Sequence, residues 1–452
     1  MSRSFDVAVI GAGASGVLTA VQLHRSVTPP RVVLLDAGAR AARGLAYGTP
    51  YGAHLLNVPA AKMSAFVEEP DHFLNWLAAT APGTTGQTFA PRHLYGEYLA
   101  HVLDQEKGIQ RIPGSAVGLS RDVEPGRWIV HLHDGRTIDA SMVVLALGNL
   151  SPADPLSFAG TPPAHYLRDP WAPGAAQGLG RDAPILLIGT GLTMIDLALA
   201  LRAEGHRGPI HAMSRHGLLP HAHRAHLPRS FSTTPSGSPL AVLRWLRREM
   251  TTATAEGVDW RAVIDGLRPL TATMWQAWSL RERRSFLRHA RAFWDVHRHR
   301  MAPDVATQVK ELLEEGTLRI HRGRISAMSD FEGGVSVQWH DADGETREFT
   351  VARVINCTGP ASNYALVDLP LVAQLRRAGF LVPDPLGLGV ETTAEGQFVD
   401  VEGEPVPGLF TIGPLRRAAH WESTAIPEIR VQASELARLL ATHTANRRRT
   451  GS

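Results

Sequence analysis

The sequence predicts an α/β protein made of two Rossmann-like dinucleotide-binding domains with a helical insertion, and three observations predict it. Two glycine-rich loops each stand between an apolar strand and a helix, strand-then-glycine segments recur late in the chain, and a helix-spaced stretch rich in Trp and Arg interrupts the second half.

The first loop follows Val7-Ala8-Val9-Ile10 and reads Gly11-Ala12-Gly13-Ala14-Ser15-Gly16. In such a loop the first glycine makes the tight turn, the second lets the backbone approach a pyrophosphate, and the third lets the helix pack closely on the strand. The amino terminus of that helix faces the phosphates with its free amides, here those of Ala14 and Ser15. A second strand, Arg31 to Leu35, ends in Asp36, an acid placed to accept from a ribose hydroxyl pair. Three glycines in a loose pattern would mean little; strand, loop, helix, strand and terminal acid together specify a dinucleotide.

The second loop follows Ile185-Leu186-Leu187-Ile188 and reads Gly189-Thr190-Gly191-Leu192-Thr193-Met194. Met194 replaces the third glycine, which loosens the fit of helix to strand and keeps the phosphate site. The next strand ends in Ser214-Arg215 instead of an acid, and an arginine there suits a 2′-phosphate, so NADPH is expected over NADH. The alternative is that Arg215 is a solvated surface charge.

Late in the chain, Arg353 to Pro360 and Gly408 to Pro414 are apolar strands ending in Gly359 and Gly413, and Met142 to Asn149 is a similar segment ending in Gly148. The expected organisation is therefore nested. Residues 1–165 with 351–446 form the first unit, and 180–350 the second, with the helical insertion over about 218–310 and a flexible basic tail at 447–452. Prolines between 152 and 173 mark the first crossing.

Composition narrows the function. Hydrophobic residues make up 44% and charged ones 20% of 452 residues, and the net charge is +3, an ordinary globular balance. No dense basic stripe suggests nucleic acid. No apolar run is long enough for a membrane span and no signal peptide opens the sequence, so a cytoplasmic protein is expected. The single cysteine, Cys357, excludes an internal dithiol and reads as a buried packing residue. His221 with His223 and His297 with His299 lack a carboxylate or cysteine at ligand spacing, so no metal is expected. No nucleophile elbow appears.

The chain resembles the two-dinucleotide-binding flavoproteins, and within them the FAD-NAD(P)-binding family that neighbours the class B flavin monooxygenases, including N-hydroxylases. The resemblance runs through Gly44-Leu45-Ala46-Tyr47-Gly48, His54-Leu55-Leu56-Asn57-Val58-Pro59, Lys62-Met63-Ser64, Pro91 to Leu99, and Trp421 to Arg430. It implies FAD on the first loop and NADPH on the second. It also implies that the His54 to Ser64 stretch borders the flavin, with His54, Leu56, Asn57, Val58 and Met63 as contacts. Asn57, Lys62 and Ser64 are the candidate catalytic donors. Arg92 and Tyr95, three apart on one helical face, are expected at the ADP part of FAD or the chain around it, the alternative being plain packing for Tyr95. Gly413, Pro427 and Ile429 are expected to bring a turn and a helix amino terminus to the pyrimidine end of the flavin. Gly413-Pro414 stands where related flavoproteins often have Gly-Asp, so another donor set must serve there.

The function expected is an NADPH-dependent FAD monooxygenase acting through a flavin C4a-hydroperoxide on a small molecule, with dioxygen as co-substrate. Two alternatives stay open: a reductase passing electrons to a quinone or protein acceptor, and a flavin-dependent sensor or scaffold. Neither the substrate nor the oligomeric state is fixed by these residues.

Overall fold

The computed structural model describes residues 4–38, 42–122, 126–158 and 160–450. The chain opens with β1 (Ser4–Ile10), α1 (Ala14–His24), β2 (Val32–Asp36) and the short α2 (Gly44–Tyr47). It continues through α3 (His72–Thr80), α4 (Arg92–Gln105), β3 (Gln110–Pro113), β4 (Ala116–Arg121), β5 (Trp128–Leu132) and β6 (Thr137–Leu145). The crossing leads to β7 (Tyr166–Leu167), β8 (Ile185–Ile188), α5 (Leu192–Ala203) and β9 (Ile210–Ser214). The insertion follows as α6 (Pro239–Ala255), α7 (Trp260–Leu267), α8 (Thr271–Ala277), α9 (Leu280–His289) and α10 (Arg291–Arg298). Then come α11 (Pro303–Glu314), β10 (Leu318–Phe331), β11 (Gly334–Asp341), β12 (Thr346–Val351) and β13 (Arg353–Asn356). The chain returns with α12 (Pro370–Arg377), β14 (Gln397–Val399), β15 (Pro405–Thr411), α13 (Arg417–His420) and α14 (Ile426–Thr450).

Two sheets result. The first runs β14-β15-β6-β1-β2-β3, with β5 on β6 and β4 on β5; the second runs β12-β11-β10-β9-β8-β13-β7. In each, a central strand (β1 or β8) has parallel neighbours on both sides, and its glycine loop lies at the carboxyl edge where the connections part. Crevices of this kind are where dinucleotides bind in doubly wound sheets.

The strands are continuously apolar because both faces of each parallel sheet are covered, one by helices and the other largely by further strands. Val7 and Val9 point into a core shared with α1, α4 and α14, whereas Ala8 and Ile10 point to the opposite core around Trp128, Phe398 and Leu375. Likewise Ile185 and Leu187 meet α5 and α11, and Leu186 and Ile188 meet Val335, Val337 and Trp339. The insertion has a separate aromatic core around Trp275 and Trp278. Its helices start on local signals: Ser238 caps α6 before Pro239, and Ser279 with Glu282 forms a capping box on α9.

Two expectations change. The strand Arg353–Asn356 does not return to the first sheet; it pairs in parallel with β8 and β7, so Gly359 belongs to the mouth of the second sheet. Residues 447–450 are not a loose tail but the last turn of α14, where Arg447 donates to the Gly126 carbonyl at 2.9 Å and Arg448 to the Asp6 carboxylate at 2.6 Å. Residues 451–452 lie outside the described residues. No helix among the described residues is long and apolar enough to cross a membrane.

Candidate functional site

At the first loop the chain turns at Gly11 with φ +107°, where a Cβ would sit 2.4 Å from the Ala146 carbonyl oxygen. A Cβ on Gly16 would sit 1.8 Å from the Gly11 carbonyl oxygen, so α1 can approach β1 only with glycine there. Gly13 is the N-cap of α1 and supplies no side chain to it, which leaves the first amides of that helix, at Ala14 and Ser15, for a ligand. Gly44 packs onto Gly13, and Gly413, with φ +78°, closes over Ser15; a Cβ on Gly413 would lie 2.7 Å from Ser15 Oγ. Asp36 ends β2 and accepts from the Gly38 amide at 2.9 Å through one oxygen. The cradle of glycines at a helix start, with an acid at the next strand end, fits a dinucleotide pyrophosphate and ribose.

The second loop repeats the construction. Gly189 turns at φ +114°, and its Cβ would meet the Cys357 carbonyl oxygen at 2.5 Å, as Gly11 meets Ala146. Thus β13 is to β8 what β6 is to β1. Gly191, the N-cap of α5 ahead of Leu192 and Thr193, faces open space: no atom lies within 4 Å of its Cβ position. Met194 is fully buried in the core of this unit. Ser214 Oγ lies 2.8 Å from Thr190 Oγ1 and accepts from the Gly217 amide at 3.0 Å, which orders the turn carrying the exposed Arg215. Opposite Ser214 in register stands Arg322 of β10, also exposed and with no ion pair among the described residues. Sequence reasoning missed Arg322, because only the β9–β10 pairing brings it beside Arg215.

The two units meet at a cavity of about 130 Å³. Leu45, Ala46 and Asn149 line it from the first unit, and Leu192, Thr193 and Gly359 from the second. Gly148 and Gly359, both left-handed and both with nothing near their Cβ positions, occupy equivalent places after β6 and β13. Arg92 and Asp196 also line it, and their side chains pair at 2.8 Å. Arg92 Nε further donates to the Leu55 carbonyl at 3.1 Å, so this guanidinium fastens the two units together; of the two places expected for it, the ADP part of FAD and the chain around it, these contacts are with the chain. Tyr95 is fully buried among Tyr47, Phe73 and Tyr98 and packs the helix.

The stretch expected beside the flavin divides. His54 is buried; its ring lies 2.7 Å from Thr49 Oγ1 and 2.8 Å from the Asp196 carbonyl oxygen, and burial holds its pKa below the ordinary imidazole value. Leu56 and Met63 are buried in the first core, with Val58 packed against it. Asn57 gives its carbonyl to His223 at 3.1 Å, and its half-buried amide side chain has no protein partner among the described residues. Lys62 borders a groove with Asp265 and Arg268. Burial lowers its pKa, opposed by Asp265 and reinforced by Arg268, Arg298 and Arg300. Ser64 is corrected: its hydroxyl donates to the Glu69 carbonyl at 2.6 Å and accepts from the Phe66 amide, so it is spent on a local turn.

The carboxy-terminal segment is clamped. Arg298 Nη2 donates to Glu422 Oε2 at 2.7 Å and its Nε contacts both carboxylate oxygens at 3.0 Å, with side-chain exposures of 9% and 8%. Trp421 holds φ +58°, unusual for a large residue, and Ser423 Oγ is buried with no partner among the described residues. Pro427 stands in the first turn of α14, and Ile429 is buried against the first core. An unpartnered hydroxyl just before a helix amino terminus fits a polar ligand edge. No group of three His, Cys, Asp or Glu side chains suited to a metal occurs among the described residues.

Residues 8–150 match the family model described as FAD-NAD(P)-binding. No curated protein matches the chain. Among solved structures, the ornithine hydroxylase of Pseudomonas aeruginosa is similar with a TM-score of 0.67 at 15% identity, covering 98% of this chain and 100% of that one. The L-lysine 6-monooxygenase of Pseudomonas syringae gives 0.67 at 16%, covering 97% and 99%. The ornithine N-hydroxylase of Kutzneria sp. 744, solved with reduced FAD, NADP+ and L-ornithine, gives 0.65 at 13%, covering 98% and 100%. Residues 8–150 thus match the model of an FAD-NAD(P)-binding domain, and over its length the chain shares the fold of these three solved structures.

Proposed function

We propose that this protein is an NADPH-dependent FAD monooxygenase of a small molecule. The observation that carries the reading is the cavity lined at once by Leu45 and Asn149 beside the first glycine loop and by Leu192 and Thr193 of the second. Such a junction suits hydride passage from one dinucleotide to the other. FAD, held by the first glycine loop, would supply the redox and oxygen chemistry. The name of one structural relative, an ornithine N-hydroxylase, supports nitrogen as the oxygen acceptor.

The chain's own residues supply binding, orientation and exclusion of water. Gly11 to Ser15 would hold the FAD pyrophosphate and Asp36 its ribose, while Gly189 to Thr193 would hold that of the nicotinamide nucleotide. Arg215 and Arg322 would pair with a 2′-phosphate, which favours NADPH. The Arg92–Asp196 pair keeps the two sites in register. Asn57, with its unpartnered amide, and Lys62, with its depressed pKa, are the donors left to face the flavin.

The test is stopped-flow mixing of the NADPH-reduced, FAD-loaded protein with oxygen. A lasting absorbing species before flavin reoxidation is the expected result. Direct reoxidation with and without candidate substrates would favour a reductase, and failure of NADPH to reduce the flavin would leave a sensor or scaffold.

A further inference from the structure

The helical insertion encloses a second space that the dinucleotide sites do not use. It is a cavity of about 370 Å³ between α6, α7, α8, α9 and α10, within the roughly 300–1,000 Å³ of small-molecule pockets. Its walls are aromatic: Trp275, Trp278, Trp294, Trp421, Phe286 and Phe293. Trp275 and Trp421 stack with centroids 4.9 Å apart at 28°, and Trp278 lies 5.3 Å from Phe286. Trp421 is the left-handed residue of the clamped segment ahead of α14, so this space abuts the stretch expected beside the flavin. Phe293 is half exposed and, with the exposed Arg247 and His289, forms the rim.

Two features select the ligand. No Asp or Glu lines the cavity among the described residues. Two of its indoles already carry a guanidinium: Arg283 lies 5.1 Å from the Trp275 centroid and Arg417 lies 4.7 Å from that of Trp421. A cage of tryptophans can attract a cation, but here the attraction is already used and the surrounding charge is positive, so an ammonium group is disfavoured. The second feature is a donor. Trp275 Nε1 donates to the Ala418 carbonyl at 2.7 Å and Trp278 Nε1 to that of Gly237 at 2.9 Å, whereas Trp294 Nε1 is buried with no acceptor among the described residues. A buried N–H without an acceptor is costly, and a ligand acceptor would relieve it.

We propose that this cavity binds a neutral, flat, apolar small molecule bearing one hydrogen-bond acceptor, which Trp294 receives. As the substrate of this protein such a molecule would differ in class from the charged amino acids that name the structural relatives; that substrate assignment rests on the monooxygenase reading, and the binding assignment does not.

Equilibrium dialysis of the FAD-loaded full chain with naphthalene, 2-naphthaldehyde and L-ornithine tests it. Both naphthyl probes should bind saturably, and L-ornithine should not displace them. Trp294→Phe should weaken 2-naphthaldehyde about fivefold, as expected for one hydrogen bond, and leave naphthalene unchanged. Met274→Trp, which fills the cavity, should weaken both by about tenfold or more, with circular dichroism and flavin content as the control for folding. Absence of saturable naphthyl binding, displacement by L-ornithine, or an equal effect of Trp294→Phe on both probes would overturn the proposal. Should Met274→Trp misfold, the Trp294→Phe comparison decides alone. Stimulation of NADPH oxidation by the naphthyl class but not by L-ornithine supports the substrate assignment, and the reverse overturns it. Failure of NADPH to reduce the flavin refutes the monooxygenase reading by itself, with dialysis still deciding the cavity.

Discussion

Replacing Glu422 with Gln tests whether the insertion holds the carboxy-terminal segment in place. Glu422 and Arg298 have 8% and 9% exposed side chains and share three contacts between 2.7 and 3.0 Å. Removing one partner of a buried pair costs about 3–5 kcal/mol, because the other charge stays desolvated. Glu428, whose carboxylate lies 3.9 Å from Arg298, offsets part of this, so about 3 kcal/mol is expected. If the insertion unfolds together with the second unit that carries it and the segment it clamps, roughly 150–250 residues, Tm should fall by about 6–12 °C at pH 7. The pH dependence has a definite sign. Burial alone would raise the Glu422 pKa, but Arg298 outweighs it and the folded value lies below the ordinary 4.5. The pair therefore contributes fully above pH 4.5 and loses its contribution as pH falls through the folded pKa. The gap between wild type and Glu422→Gln should close on acidification. A thermal scan from pH 7 to pH 3.5, with an Arg298→Met double-mutant cycle, measures this. A Tm within about 1 °C of wild type at pH 7, or a gap that persists unchanged at low pH, would refute the clamp.

The remaining predictions concern the nucleotide sites and the thiol. Gly11→Ala should yield protein without bound FAD, read from the visible spectrum after purification, since its Cβ would collide with the Ala146 carbonyl. Gly191→Ala, with φ −86° and open space around it, should fold and keep FAD yet raise KM for NADPH at least about tenfold by blocking phosphate approach. Arg215→Ala and Arg322→Ala should each raise KM for NADPH about tenfold and leave KM for NADH nearly unchanged, as steady-state flavin reduction would show. Burial pushes the Cys357 thiol well above its ordinary pKa, so Ellman's reagent should titrate it only after unfolding.

The glycine loops were legible because their signal is local: strand, turn and helix are dictated by neighbours in sequence. The strand at 353–356 was not, because an apolar run ending in glycine reads the same in either sheet, and only the parallel register with β8 assigns it. Arg447 and Arg448 read as a solvated tail, since their acceptors, Gly126 and Asp6, lie far back in the chain. Ser64 carried the right chemistry for a donor, but its hydroxyl was claimed by a turn that periodicity does not reveal. The Trp-rich helices were readable as helices; that they enclose a space as well as packing against one another depends on side-chain volumes meeting in three dimensions.

Gly413 lying over Ser15 has a consequence for biogenesis. One wall of the first cradle follows β1 and the other comes from the end of β15, with both sheets and the whole insertion between them in sequence. The elements of the second cradle, β8, α5, β9 and β13, are therefore all synthesised before the first cradle is complete. Closing the first cradle thus depends on a contact of very large sequence separation, the kind that forms slowly in folding. A chain ending before β15 would carry an intact glycine motif and still lack the surface that closes over it.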